Sequence, residues 1–160
     1  MPPFRVMDRF LSSAVNRIDA KGRVSVPAPF RLLLQKRAIA EIYALRALDE
    51  PAIDLGGPDL LDRFEQRLSQ EDPFLSRSDD MSLYFYGDGT FLKLDQDGRL
   101  TMSDFIREHS GITTDVAFVG RGHFFQMWEP ARFEAYRSEA RQRLSALRRN
   151  LSAKAGGEPG

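Results

Sequence analysis

The sequence predicts an α+β fold made of two similar halves, related by a pseudo-twofold within one chain. Two observations predict it. The first is a phrase written twice, "NRIDAKGRVSVPAPFR" at 16–31 and "LKLDQDGRLTMSDFIR" at 92–107. In register, Asp19 meets Asp95, Gly22 meets Gly98, Arg23 meets Arg99 and Arg31 meets Arg107. Apolar Ile18, Val24 and Val26 meet Leu94, Leu100 and Met102. The second observation is that each copy opens a similar succession of short β-type runs and amphipathic helices. Two units are too few for a solenoid, so each half is expected to complete the core of the other.

The first half begins with the strand "VNRID". An Asp-x-x-Gly turn follows, in which the carboxylate accepts from loop N–H groups and glycine supplies a positive φ. "RVSV" returns, with Val24 and Val26 inward and Ser25 on the other side. Pro29 fits the first turn of a helix in "PFRLLLQKR". "EIYALRAL" (41–48) reads as a strand, and "PDLLDRFEQRL" (58–68) as a helix with Leu61, Phe64 and Leu68 on one face.

The second half repeats the pattern with "FLKLD", a turn and "RLTM". Ser103 suits an N-cap, Asp104 favours the helix dipole, and Gly111 stops "DFIREHS". "DVAFVG" (115–120) and "FFQMW" (124–128) read as a hairpin around Arg121, Gly122 and His123. "PARFEAYRSEARQRLSAL" (130–147) aligns Phe133, Tyr136, Ala140, Leu144 and Leu147, and carries a basic side. The halves are therefore expected at 9–69 and 83–149. Acidic residues 70–82, with Pro73, read as a linker, and 150–160 as a disordered tail.

Composition narrows the function. Formal net charge is zero, so a polyanion would have to be met by a local patch. The charge is zoned: residues 1–40 hold eight Arg and Lys against two acids, and residues 47–80 hold ten acids against three Arg. The absence of cysteine excludes disulfides, thiol catalysis and cysteine zinc sites. Two histidines cannot make a His-rich metal site. Neither cofactor nor metal is expected. No run approaches the roughly 20 apolar residues of a membrane helix. Arg5, Asp8 and Arg9 interrupt the N-terminus, so it lacks a signal-peptide core, and a reducing cytoplasm is the expected setting. Ser25 and Ser103 have no His or Asp at a recognisable catalytic spacing, and no enzyme is expected.

The repeated loop is the chemical signal. Each tip presents an arginine, Arg23 or Arg99, directly after a glycine, and Lys21, Arg17 and Arg31 lie near the first. An arginine fork on a tight loop matches phosphate oxygens, or guanine O6 and N7 in a major groove.

"IDAKGRVSVPAPFR" resembles the loop-hinge motif of AbrB-like transcription factors, and the doubled arrangement resembles the MraZ family of bacterial regulators. "DVAFVGRGHFFQMWEP" is similar to the same family, and the likeness spans roughly residues 9–145. The resemblance implies two swapped-hairpin AbrB-like β-barrel halves in one chain. It implies ring-shaped homo-oligomers in the cytoplasm, associated with the nucleoid. It implies a repressor of the division and cell-wall gene cluster that binds short G-containing direct repeats ahead of its own gene. By position, Lys21, Gly22 and Arg23 would face DNA, with Gly98 and Arg99 as counterparts and Arg17 and Arg31 on phosphates. Asp19 and Asp95 would shape the loops. Two positions depart from the pattern: Ser103 replaces a proline, and acidic Asp97 stands where the first copy has Lys21. An acid at the tip weakens a phosphate contact. A scaffold or partner-binding module without specific DNA binding is the alternative.

Overall fold

The computed structural model describes residues 8–71 and 79–157. Alternating runs become strands β1 (Ser13–Arg17), β2 (Arg23–Ser25), β3 (Glu41–Arg46) and β4 (Ala52–Gly56) in the first half. The second half supplies β5 (Thr90–Lys93), β6 (Arg99–Thr101), β7 (Asp115–Gly120) and β8 (Phe125–Trp128). The helices are α1 (Ala28–Lys36), α2 (Pro58–Glu71), α3 (Asp79–Ser82), α4 (Asp104–Ser110) and α5 (Pro130–Gly157), with one π-helical turn at Leu83–Gly87.

Six strands form one antiparallel sheet in the order β1-β7-β8-β4-β3-β5, and β2 pairs with β6 in a separate ribbon. Exchange each strand with its counterpart in the other half, and the order is unchanged. β1 pairs with β7 and β5 with β3, so each half lends its first strand to the other. The central pair, β4 and β8, is buried on both sides.

One face carries α1, α4 and the ribbon. Phe30, Leu33, Leu34, Val24, Leu100 and Ile106 pack there against Ile42, Ile53, Val116 and Phe125 of the sheet. The other face carries two smaller clusters. Phe133 and Tyr136 of α5 cover Ala52, Ala117 and Trp128, while Leu60, Phe64 and Leu68 of α2 cover Leu45 and Phe85. Opposite pleat faces thus serve different helices, as period-2 alternation requires.

The structure corrects several expectations. It is α+β, but no closed barrel is present among the described residues: the main sheet is open, with β1 and β5 as its edges. The three-residue strands β2 and β6 bond to each other and leave those edges unjoined. Strand β4 was not foreseen. A strand covered on both sides shows no alternation, so "AIDLG" lacks the period-2 signal of a strand. The proposed linker is helical where it is described, since Gln70 and Glu71 end α2 and 79–82 form α3; its middle lies outside the described residues. The tail is not disordered over 150–157, because α5 continues through Leu151, Ala153 and Lys154, all good helix formers. Ser103 takes the N-cap position of α4 but makes no side-chain cap bond, and its buried hydroxyl has no hydrogen-bond partner among the described residues. Gly111 closes that helix in the left-handed conformation, with its N–H on the Arg107 carbonyl.

Candidate functional site

The two Asp-x-x-Gly-Arg loops are built alike, atom for atom. Asp19 Oδ1 accepts from the Lys21 and Arg23 amides at 3.0 and 2.9 Å, and Oδ2 accepts from Arg23 Nε at 3.0 Å. Asp95 Oδ1 accepts from the Asp97 and Arg99 amides, both at 2.9 Å, and Oδ2 from Arg99 Nε at 3.1 Å. These donors hold both carboxyls below the usual carboxylate range, the Arg23 and Arg99 amides contributing most. Gly22 and Gly98 sit at φ +79° and +77°, which closes each turn in a region that side chains resist.

The β2–β6 ribbon brings the loops together. Met102 N–H donates to the Gly22 carbonyl at 2.8 Å, and Val26 N–H to the Gly98 carbonyl at 3.0 Å. Each turn is thus fastened by the strand end of the opposite half. Asn16, which the sequence reading passed over, adds a bond from Nδ2 to the Ser25 carbonyl at 2.7 Å.

Symmetry ends at the side chains. Arg99 is surrounded by acids: besides Asp95, its Nη2 lies 2.8 Å from Asp97 and its Nη1 3.8 Å from Asp19. Arg23 is tied only through Nε to Asp19, which leaves its outer nitrogens unbonded among the described residues. Lys21 and Arg17 are exposed. Arg31, expected on phosphate, leans on the second loop: Nη1 donates to the Asp97 carbonyl at 3.3 Å, and its stem covers Gly98. Its counterpart Arg107 bonds to the Thr113 carbonyl, and among the described residues nothing covers Gly22. The first loop is therefore open and cationic, and the second is braced and neutralised.

The comparisons bear on this pair. A protein of Rhizobium rhizogenes named transcriptional regulator MraZ is 53% identical over 136 residues, covering 85% of this chain and 93% of that relative. The chain belongs to the MraZ family. A Xanthobacter autotrophicus protein of the same name is 41% identical over 149 residues, covering 93% of this chain and 95% of its own length. The family model described as "MraZ protein, putative antitoxin-like" matches residues 85–152, which include the second loop, β7, β8 and most of α5. Both relatives carry the name of transcriptional regulator.

A second polar cluster lies on the far side of the sheet, unforeseen in the sequence. Asp54, 4% exposed, accepts from Gln126 Nε2 at 2.6 Å. The same nitrogen reaches Glu50 at 3.0 Å, and Gln126 Oε1 accepts from Arg121 and Trp128 Nε1, each at 2.8 Å. Burial pushes the Asp54 carboxyl up to about 7, against the pull of Gln126. The one signal in sequence was a lone acid inside the apolar run "AIDLG". Among the described residues no group of three or more His, Asp and Glu could hold a metal ion, and no helix is long and apolar enough to cross a membrane.

Proposed function

We propose that this chain is a sequence-specific DNA-binding repressor of the division and cell-wall gene cluster. On this reading its halves are AbrB-like, and it binds short direct repeats ahead of its own gene as a ring-shaped homo-oligomer on the nucleoid. The observation that carries the reading is the doubled loop, fastened across one ribbon, whose first copy leaves the outer nitrogens of Arg23 unbonded among the described residues and Lys21 exposed. A rigid, preorganised cation costs little entropy on docking, and arginine can grip phosphate or guanine by its outer nitrogens. Arg17 adds charge at the strand end. Arg99, already held by carboxylates, serves as a brace, and the second loop contributes less to binding. Repeated weak contacts from several protomers would supply the affinity.

The test is fluorescence anisotropy at ~150 mM salt. It compares the DNA upstream of this protein's gene with a scrambled duplex. Wild type should prefer the upstream DNA. Arg23→Ala should weaken that binding by about tenfold or more, the scale of one lost base contact. Arg99→Ala should weaken it less. Equal, weak binding of both duplexes by wild type sinks the reading. It would favour a partner-binding module, which the acid-locked state of Arg99 also suits.

A further inference from the structure

The face of the sheet turned away from the loops holds a cavity of about 250 Å³. Pockets for drug-sized molecules measure roughly 300–1,000 Å³, so only a short ligand fits here. Both halves build it. Glu50 comes from the β3–β4 turn and Arg67 from α2, while Tyr84, Arg121 and Tyr136 come from the second half. Phe64, Leu68 and Phe85 give it apolar walls. Asp54 is the most buried of its charged groups, at 4% exposure.

The charges in the cavity do not balance. Asp49, Glu50, Asp54 and Glu71 line it, against Arg67 and Arg121. Arg121 is taken up by Glu50, with Nη1 3.4 Å from Oε2, and by Gln126. Arg67 makes no ion pair among the described residues and shares the mouth with Asp49 and Glu71, all three exposed. Two carboxylates are thus unmatched, Asp54 inside and one at the mouth. Asp54 is also half-satisfied. Its Oδ1 accepts from Gln126 Nε2 at 2.6 Å, and its Oδ2 accepts no hydrogen bond among the described residues. A buried acceptor without a donor is costly, and burial pushes this carboxyl up to about 7. The groups around it supply neither donor nor charge. Glu50 is itself an acid, bonded to Arg121 and Tyr136, and Tyr84 gives its hydroxyl to the Arg46 carbonyl.

We propose that this cavity binds a short aliphatic diamine, with one ammonium donating to Asp54 Oδ2 and the other held at the mouth by Asp49 and Glu71. The methylenes lie against Phe64, Leu68 and Phe85, and the aromatic faces suit a cation as well as a chain. An alkyl amine keeps its charge throughout the neutral range, as a lysine does. Its arrival expels the proton from Asp54 to solvent, so affinity rises with pH and levels off above about 7. The ligand would join α2 of the first half to the π-helical turn and α5 of the second. It requires nothing of the DNA-reading loops.

Trp128 is the one tryptophan, and its Nε1 donates to the Gln126 that holds Asp54, so its fluorescence reports on the cavity. The full chain is titrated with putrescine, butylamine or succinate, with sodium chloride holding the ionic strength constant. Putrescine at pH 8 should give a saturating change and raise the melting temperature. Its affinity should fall about tenfold or more at pH 5. Butylamine should bind more weakly, and succinate should not bind. Asp54→Asn should weaken putrescine about tenfold at pH 8 and abolish the pH dependence. Asp49→Asn/Glu71→Gln, confined to exposed positions, should bring putrescine to the level of butylamine. No saturation by putrescine at concentrations on the order of 10 mM overturns the proposal. So does a mouth variant that binds like wild type, or an affinity that ignores pH in wild type. Binding of succinate in place of putrescine would assign the cavity to anions through Arg67 and Arg121, and the diamine reading would be wrong.

Discussion

At Asp19 and Asp95 one carboxylate satisfies two backbone amides and an arginine, and each is replaced by no other group in its loop. Their lowered pKa values mean that the loops gain stability from ionisation, present above the usual carboxylate range and lost as pH falls below it. Asp54 runs the other way. Burial raises its pKa, so its contribution is full below the ordinary carboxylate value and is lost as pH rises through about 7. Each pH unit in that window costs about 1.4 kcal/mol. Wild type should therefore melt at lower temperature at pH 8 than at pH 5. Asp54→Asn, whose Oδ1 can still accept from Gln126, should flatten that slope, and equal slopes by scanning calorimetry would refute the assignment. Glycine tests the loops in the same way. Alanine at φ near +78° costs about 1–2 kcal/mol. Gly22→Ala meets open space and should pay only that strain, whereas Gly98→Ala also collides with the Arg31 stem and should melt lower. Arg31→Ala should remove the difference between the two. If Gly98→Ala is no worse than Gly22→Ala in denaturant titrations, Arg31 is not the brace described.

The loop as an element shows what one substitution does to a duplicated unit. Asp97 occupies the place of Lys21 and locks Arg99 at 2.8 Å. Asp97→Lys should free Nη2 of Arg99, leaving its Nε on Asp95, and add a cation at the tip. Upstream DNA should then bind several-fold tighter, with the slope of log K against log salt steeper by about 0.9 for each phosphate gained. An unchanged slope in anisotropy titrations would place the second loop away from DNA. These loops were legible because their geometry is local: Asp, Gly and Arg at fixed offsets make the same turn wherever they stand. The contact of Arg31 with the Asp97 carbonyl was not legible, because the two lie 66 residues apart and only the fold brings them together. Strand β4 escaped for a related reason. Its five residues are buried on both sides by helices from both halves, so no alternation betrays them. The open sheet was equally invisible, since closure depends on which edges meet rather than on any one strand. Helix α5 was read ten residues short, because its polar end looks like tail composition until the helix is seen to continue.

For the whole molecule, the strand order decides what can fold. Neither half can satisfy its own strands. β1 needs β7, β5 needs β3, β2 needs β6, and β4 needs β8 at the centre. The largest cluster draws Phe30, Ile42 and Leu55 from the first half and Leu100, Ile106 and Phe118 from the second. A chain built this way should unfold in one cooperative step, with near- and far-ultraviolet signals coincident in urea. The stronger consequence concerns fragments. Residues 1–78 alone would expose the edges that the second half covers, and residues 79–160 would do the same. Their internal likeness offers a substitute: two copies of one half can take the places of the two different halves. Each fragment should therefore show folded circular dichroism only as a dimer, growing with concentration. An equimolar mixture should recover the native spectrum at lower concentration, because the native interface pairs Val24 with Leu100 and Asp54 with Gln126. A fragment that is folded and monomeric at low micromolar concentration would show that its strands find partners within one half, and the exchange of strands between halves would not be what holds this protein together.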